Sequence, residues 1–459
     1  MSMSVDGLVS GMDTTALITQ LIQAEAGPQT ALKTRLKTTE LAASAYRTVN
    51  TTFAAVRAAA EAALKADSWT ATKATSSDSS VAVSTTATTS TGSLTFSVEK
   101  VAKAHAVVNR NTGVWTSATA AYGAPTVEVF DSLGVSKGTI TIGGTGTLTD
   151  AAAAINAGSL GLSAAVVEIS PTEFALQVTA KTTGTAEKFT LTGSGTFGVT
   201  TEAQNAELKI GDGGAGAYSV VSASNTFASV LPGATITVSK ANPGAAVTVS
   251  VNSDPDAVAS KVQSLVDAVN SALTTVKTYT SNAKGSTAAL KGDFSVSQLS
   301  GQLLDAVSFA IGADGSPAQV GFELSKDGKI SFDKATFLAA LKDDPAMAQR
   351  MVGGTAAGNG PDTLAGTADD VAASGIAGRL LAVAKAASDS TTGSLIKLAE
   401  GQDSMVQDIQ DRIEAWDLRL ANRKEMLTRQ FTAMETALSS LKNQSTWLAG
   451  QINSLPSYS

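Results

Sequence analysis

The sequence contains no cysteine, so neither a disulfide framework nor a thiolate metal site is open to it. A cysteine-free chain is also what passage unfolded through an export channel tolerates best. Histidine occurs once, as His105, with no second histidine to share a metal or relay a proton. It stands in a strand-like polar segment and reads as a surface or edge position. Charged residues make up 16% of the 459 residues and aromatics 5%, while Ala, Ser, Thr and Gly dominate. That balance fits long Ala-rich helices joined to Thr/Val-rich sheets rather than a compact catalytic fold. A formal net charge of −7 argues against a nucleic-acid partner. The first basic residue is Lys33, and no charged region precedes an apolar core near the N-terminus, so no secretory signal peptide is expected. The longest small-apolar run, 151–169, is broken by Asn156, Ser159, Ser163 and Glu168, which excludes membrane insertion through it.

What the sequence does have is heptad order. Ile413, Leu420, Leu427, Met434, Leu441, Leu448 and Leu455 recur every seven residues, the spacing that keeps one helix seam against a partner. Ile409 and Trp416 fill the second seam at first, and Arg423 and Gln430 follow in it. Phe431, Leu438 and Ile452 then take the opposite flank, so the contact face rotates near Arg423–Leu427 as at a stutter. The N-terminal segment is helical as well. Asp13 and Thr14 are candidate caps, and Leu17, Leu21, Leu32, Leu36, Tyr46, Val49, Phe53, Val56 and Leu64 lie on one face. Pro28 after Gly27 breaks or restarts this helix. Two long amphipathic termini each need a partner, and pairing them with each other as a coiled-coil leg is the economical solution.

Between them the character changes. Strands are expected over 81–83, 93–98, 126–130, 139–142, 164–169, 174–179, 189–192, 207–210, 218–221, 235–238 and 246–251, with a short Ala-rich helix at 149–157. Asp254-Pro255 opens a helix with apolar positions from Val258 to Val276, and a second runs from Val296 to Ile311. A hairpin turn at 326–329, helices capped by Asp333 and Asp344, and a helix over 376–387 complete the series. The fold class is therefore α+β and multidomain. It comprises an N-terminal leg helix (1–66), first strands of a leg-proximal domain (67–100) and inserted β-rich head domains (101–252). An α+β leg-proximal head built from discontinuous segments (253–402) and a C-terminal leg helix (403–459) follow.

No catalytic constellation emerges. Gly143-Gly144-Thr145-Gly146 precedes a helix but lacks the Gly-Lys-Ser/Thr end of a phosphate loop and reads as a turn. Glu128, Asp131, Glu168 and Glu173 show no pairing suited to a hydrolase. Residues 358–366 match one copy of the glycine/aspartate nonapeptide that binds calcium between successive repeats, and Asp362, Asp369 and Asp370 are its candidate ligands. A single copy with Pro361 inside it favours a plain loop, so no metal or cofactor is expected.

Several stretches, in order, resemble the flagellar filament cap (hook-associated protein 2) family. These are Val5-Asp6-Gly7-Leu8-Val9-Ser10-Gly11-Met12-Asp13 with Glu25-Ala26-Gly27-Pro28, Ser68-Trp69, and Gly92–Val98. Thr139–Asn156, Asn225–Pro232, Asp254–Asn270, Asp327–Asp333, Gln430–Met434 and Ser445–Leu448 complete the set. The resemblance implies a non-enzymatic scaffold at the distal tip of a bacterial flagellum, outside the cell. Its partners would be itself, as a homo-oligomeric ring, together with flagellin, hook–filament junction proteins and an export chaperone. Export would follow the flagellar type III route without a cleaved signal. The leg and assembly contacts would be Leu17, Leu21, Leu32, Leu36, Tyr46 and Phe53 with Ile413, Leu420, Leu427, Phe431, Met434, Leu438, Leu441, Leu448, Ile452 and Leu455. The rival reading is an extracellular adhesin or fibre-tip protein whose β-rich head binds host glycans or mucin, with Trp115 and Tyr122 as its candidate aromatics.

Overall fold

The computed structural model describes residues 13–86, 89–111, 114–211, 214–309, 315–354 and 374–453. The chain forms two compact units, one from residues 1–65 with 259–459 and the other from 66–258. In the first unit, α1 (Thr14–Glu25) starts where the Asp13 carboxylate accepts the Ala16 N–H at 2.7 Å. Helix α2 (Gly27–Leu64) follows after one residue. Pro28 sits in its first turn, where a missing N–H costs nothing and the fixed φ suits a helix start. The buried face of α2 runs Tyr46, Val49, Phe53, Val56, Ala60 and Ala63, alternating steps of three and four.

The second unit contains two hydrophobic cores. Strands β1 (Thr72–Ser76), β2 (Val81–Thr85) and β3 (Gly92–Lys100) lead into β4 (Ala106–Asn109), β5 (Thr126–Asp131) and β6 (Ser136–Thr141). Helix α3 (Leu148–Ala157) precedes β7 (Leu162–Ser170), β8 (Glu173–Ala180), β9 (Phe189–Thr192) and β10 (Phe197–Thr201). Then come β11 (Ala206–Ile210), β12 (Tyr218–Ser222), β13 (Thr226–Leu231), β14 (Ala234–Val238) and β15 (Asn242–Ser253). One core gathers Phe96, Val98, Leu208, Phe227, Ile236 and Val249 from the sheets β1-β15-β3-β11-β12 and β13-β14-β2. The other gathers Trp115, Tyr122, Leu148, Ile155, Leu176 and Phe189 from α3 and the sheets β10-β4-β8-β7 and β6-β5-β9. Strands β1–β3, expected with the leg-proximal segment, are instead knit into this unit by antiparallel pairing with β11, β14 and β15. The unexpected strands are β1, β4, β10 and β13, runs of four to six residues too short to set a clear period.

The chain re-enters the first unit within α4 (Pro255–Thr280) and goes on to α5 (Phe294–Ser308), a hairpin of β16 (Phe322–Leu324) and β17 (Ile330–Phe332), α6 (Lys334–Asp343) and α7 (Pro345–Val352). Helices α8 (Gly375–Ser388) and α9 (Ser394–Asn453) complete it, so the last helix begins ahead of the expected Asp403. Asp389 shapes the α8–α9 turn. Its Oδ1 accepts the Thr391 and Thr392 N–H groups and the Thr392 hydroxyl, each at 3.0 Å. Those donors, Thr392 first, hold the carboxyl at a pKa of about 2.

Three asparagines play one repeated role. Asn156 accepts the Ala164 N–H and donates to the Ala164 carbonyl, both at 2.8 Å. Asn225 does the same to Ala102 at 2.6 and 3.2 Å, and Asn270 to Ile330 at 2.8 and 2.7 Å. Each amide acts as a strand-like partner for one residue and satisfies both of its backbone groups.

Candidate assembly surface on the terminal helices

Helix α9 packs on α1, α2 and α8. Its polar contacts with the N-terminal helices fix the direction. Arg47 pairs with Asp403, the Gln29 amide donates to Asp417, and Arg423 Nε lies 3.0 Å from Glu25 Oε1. As the N-terminal number falls from 47 to 25, its partner rises from 403 to 423, so the helices run antiparallel. Arg423, which follows Ile409 and Trp416 in the second seam, is thus occupied by an ion pair. Gln29 is a contact the periodicity hid, because a glutamine on an apolar face reads as an interruption although only 6% of it is exposed.

Among the expected contact residues, Ile413, Leu420 and Leu427 are buried, as is Ile409. Leu32, Leu36, Phe431, Met434 and Leu438 are half-buried. Tyr46 and Phe53 are buried, and the Tyr46 hydroxyl donates to Asp293 Oδ2 at 2.5 Å. Burial, then that acidic partner, raises the pKa of this phenol above its usual range. Leu17 and Leu21 stand 39% and 40% exposed, while neighbouring Ile18 is 6% exposed and takes the inward position. Both lines are apolar at the same spacing, so periodicity alone did not choose between them. Leu441, Leu448 and Ile452 are 61%, 55% and 59% exposed, with Trp447 at 65%. Leu455 lies outside the described residues.

The other candidates of the sequence find structural employment. Trp115 and Tyr122 are buried and stack 5.7 Å apart, which removes both from any glycan-binding surface. The glycine-rich turn closes on a carboxylate, since Asp150 Oδ2 accepts the N–H and hydroxyl of both Thr145 and Thr147. A Cβ on Gly144, whose φ is +67°, would sit 2.7 Å from Asp150 Oδ1, so this glycine serves a turn around that acid. Asp131 holds the Leu133 and Val135 N–H groups, and Glu173 pairs with Arg110 at 3.0 Å.

His105 is a correction, for it is fully buried rather than at the surface. Its Nδ1 accepts the Ala203 N–H at 3.3 Å, and its ring meets Phe189 edge-on at 5.0 Å. Burial pushes the imidazole pKa down, against the pull of Glu202 at 3.9 Å. Among the described residues no cluster of three His, Asp or Glu is placed to hold a metal ion, and no helix is long and apolar enough to cross a membrane. Asp362, Asp369 and Asp370 lie outside the described residues.

Compared with known proteins, residues 203–443 match the family described as flagellar hook-associated protein 2 C-terminus, more than half of the chain. Residues 10–105 match its N-terminus. The chain belongs to the flagellar hook-associated protein 2 family. Flagellar hook-associated protein 2 of Escherichia coli strain K12, and that of Escherichia coli O157:H7, are each 26% identical over 483 aligned positions, covering 98% of this chain and 98% of their own length. In fold, this family member is similar to the crystal structure of the flagellar cap protein FliD from Escherichia coli, at a TM-score of 0.59 and 24% identity. The likeness covers 78% of this chain and 99% of that one. The two family matches leave out 106–202, the stretch whose residues build the core around Trp115 and Tyr122.

Proposed function

We propose that this chain is a non-enzymatic cap at the distal tip of a bacterial flagellar filament. It works there as a homo-oligomeric ring that promotes folding and insertion of exported flagellin and prevents its loss. The paired terminal helices are the surface that engages filament subunits. The observation that carries this reading is the end of α9, where Leu441, Trp447, Leu448 and Ile452 are all more than half exposed on one chain. Leu441, Leu448 and Ile452 lie along one face at seven- and four-residue spacing, with Trp447 beside them, and an exposed apolar row of this kind marks an interaction surface suited to another helix. Family membership supports the flagellar setting. The lack of cysteine suits export through the flagellar type III route, with a chaperone beforehand and the hook–filament junction proteins as the platform the cap first meets.

Weak and repeatable docking is the physical requirement, because the ring must shift after each insertion. Exposed ion pairs such as Arg47–Asp403 and Arg423–Glu25 contribute only about 0–1 kcal/mol each, and they set register without locking the helices. In the organism that encodes it, deleting the chain should leave flagellin unpolymerised in the medium. Restoring the full-length protein should return filaments, while a Trp447→Glu/Leu448→Glu variant should be exported and folded yet fail to do so. Full capping by that variant would refute the role given to the helix end.

A further inference from the structure

On the first unit, Pro28, Leu32 and Arg35 of α2 face Arg412, Trp416 and Arg419 of α9 across an open groove of about 590 Å3. Its walls carry three guanidiniums and no carboxylate. Arg419 lies 4.8 Å above the Trp416 ring, and Arg412 bonds Asp408 one turn back on its own helix at 3.2 Å. Arg35 reaches the Met405 sulfur, at 4.0 Å. Among the described residues neither Arg35 nor Arg419 has an ion-pair partner. The groove therefore combines an apolar floor with cations in need of carboxylates.

The same helix carries the complementary surface. Leu418 is 66% exposed, and Glu414 and Asp411 precede it by four and seven residues on the same face. Both acids are exposed and have no ion-pair partner among the described residues, and they repel each other at three-residue spacing. At about 100° per residue, Arg412, Trp416 and Arg419 point roughly 130° away from Asp411, Glu414 and Leu418 around the α9 axis. The two surfaces stand at one level of the helix but cannot meet within one chain.

We propose that the groove of Arg35, Arg412, Trp416 and Arg419 receives the Asp411, Glu414 and Leu418 face of a neighbouring copy of this chain. Leu418 seats on Leu32 and Trp416 while the acids meet Arg35 and Arg419. The contact joins two different surfaces, so it repeats from copy to copy until the rotation closes a ring. This inference rests on the homo-oligomeric reading above and names the helix surfaces that hold the copies side by side.

Two experiments on the full-length protein test it. The first compares mass by light scattering for Arg35→Glu/Arg419→Glu, for Asp411→Arg/Glu414→Arg and for all four substitutions together, with circular dichroism as the folding control. Each pair should weaken self-association at least tenfold, and the fourfold charge swap should restore it. The second uses the cysteine-free background. Leu32→Cys/Leu418→Cys should give a ladder of disulfide-linked multimers on oxidation, free in solution or on filaments, where either single variant stops at dimers. Charge variants that assemble like the wild type, or a double-cysteine protein that gives no ladder in either setting, would overturn the proposal. If the charge variants assemble normally but fail to restore filaments in the deletion strain, the groove takes a filament subunit. The neighbouring-copy assignment is then wrong, although the capping reading stands.

Discussion

Arg423 of α9 and Glu25 of α1 lie 398 residues apart in sequence, yet their side chains meet at 3.0 Å. This pair ties the two ends of the chain into one helical assembly, and it does so at the surface. Relative exposures of 40% and 43% mean that solvent screens it. Replacing either partner by alanine should lower stability by about 1 kcal/mol or less, and high salt should erase the difference. Chemical denaturation at low and high ionic strength checks this, and a loss several times larger would mean the pair anchors the helices rather than tuning their register.

The apolar face of α2 should carry far more. Phe53 is fully buried, so Phe53→Ala should cost about 3–5 kcal/mol through lost burial and the cavity left behind. Leu418→Ala, at a residue 66% exposed, should stay within about 0.5 kcal/mol in the isolated chain. Urea midpoints of the two variants measure the contrast.

Asn50 is a local weak point on the same helix. It is half-buried, and its side-chain oxygen is sealed from solvent with no hydrogen-bond partner among the described residues. An apolar residue of similar size removes that unsatisfied acceptor, so Asn50→Leu should raise stability by roughly 1 kcal/mol. A loss of that size instead would show that the amide has a partner in solution.

His105 should make the second unit sensitive to mild acid. Burial lowers its folded pKa below the ordinary 6.5, against the carboxylate of Glu202, with Lys188 acting in the same direction as burial. Between 6.5 and the lowered folded value, the unfolded chain holds a proton that the folded one does not. The stability from the neutral ring is therefore complete above pH 6.5 and is lost as pH falls toward the folded value. As the sole histidine, it can be followed by NMR without ambiguity, and a folded midpoint at or above 6.5 would contradict this assignment.

Much of this molecule was legible in its residues because the signals were periodic. Ile413, Leu420 and Leu427 announced the inward face of α9, and Asp13, Asp333 and Asp344 marked helix starts with their carboxylates. What stayed hidden depended on distant partners. The partners of His105 are Glu202, Ala203 and Phe189, which meet it from more than eighty residues away in the chain. Gln29 became a contact only because Asp417 lies opposite. The choice of Ile18 over Leu17 was lost because adjacent apolar lines on one helix are equivalent until a partner selects between them. Strand β1, Thr-Lys-Ala-Thr-Ser, carries almost no apolar signal of its own and pairs with β15, far along the chain.

The most direct test is binding to filament ends. Full-length wild type and a Leu441→Glu/Leu448→Glu/Ile452→Glu variant would be incubated with purified filaments and counted at the tips by immunogold electron microscopy. All three side chains are exposed in the isolated chain, so the variant should fold like the wild type by circular dichroism while losing at least nine-tenths of its tip labelling. Equal labelling of tips by both proteins would contradict the claim that the end of α9 engages the filament.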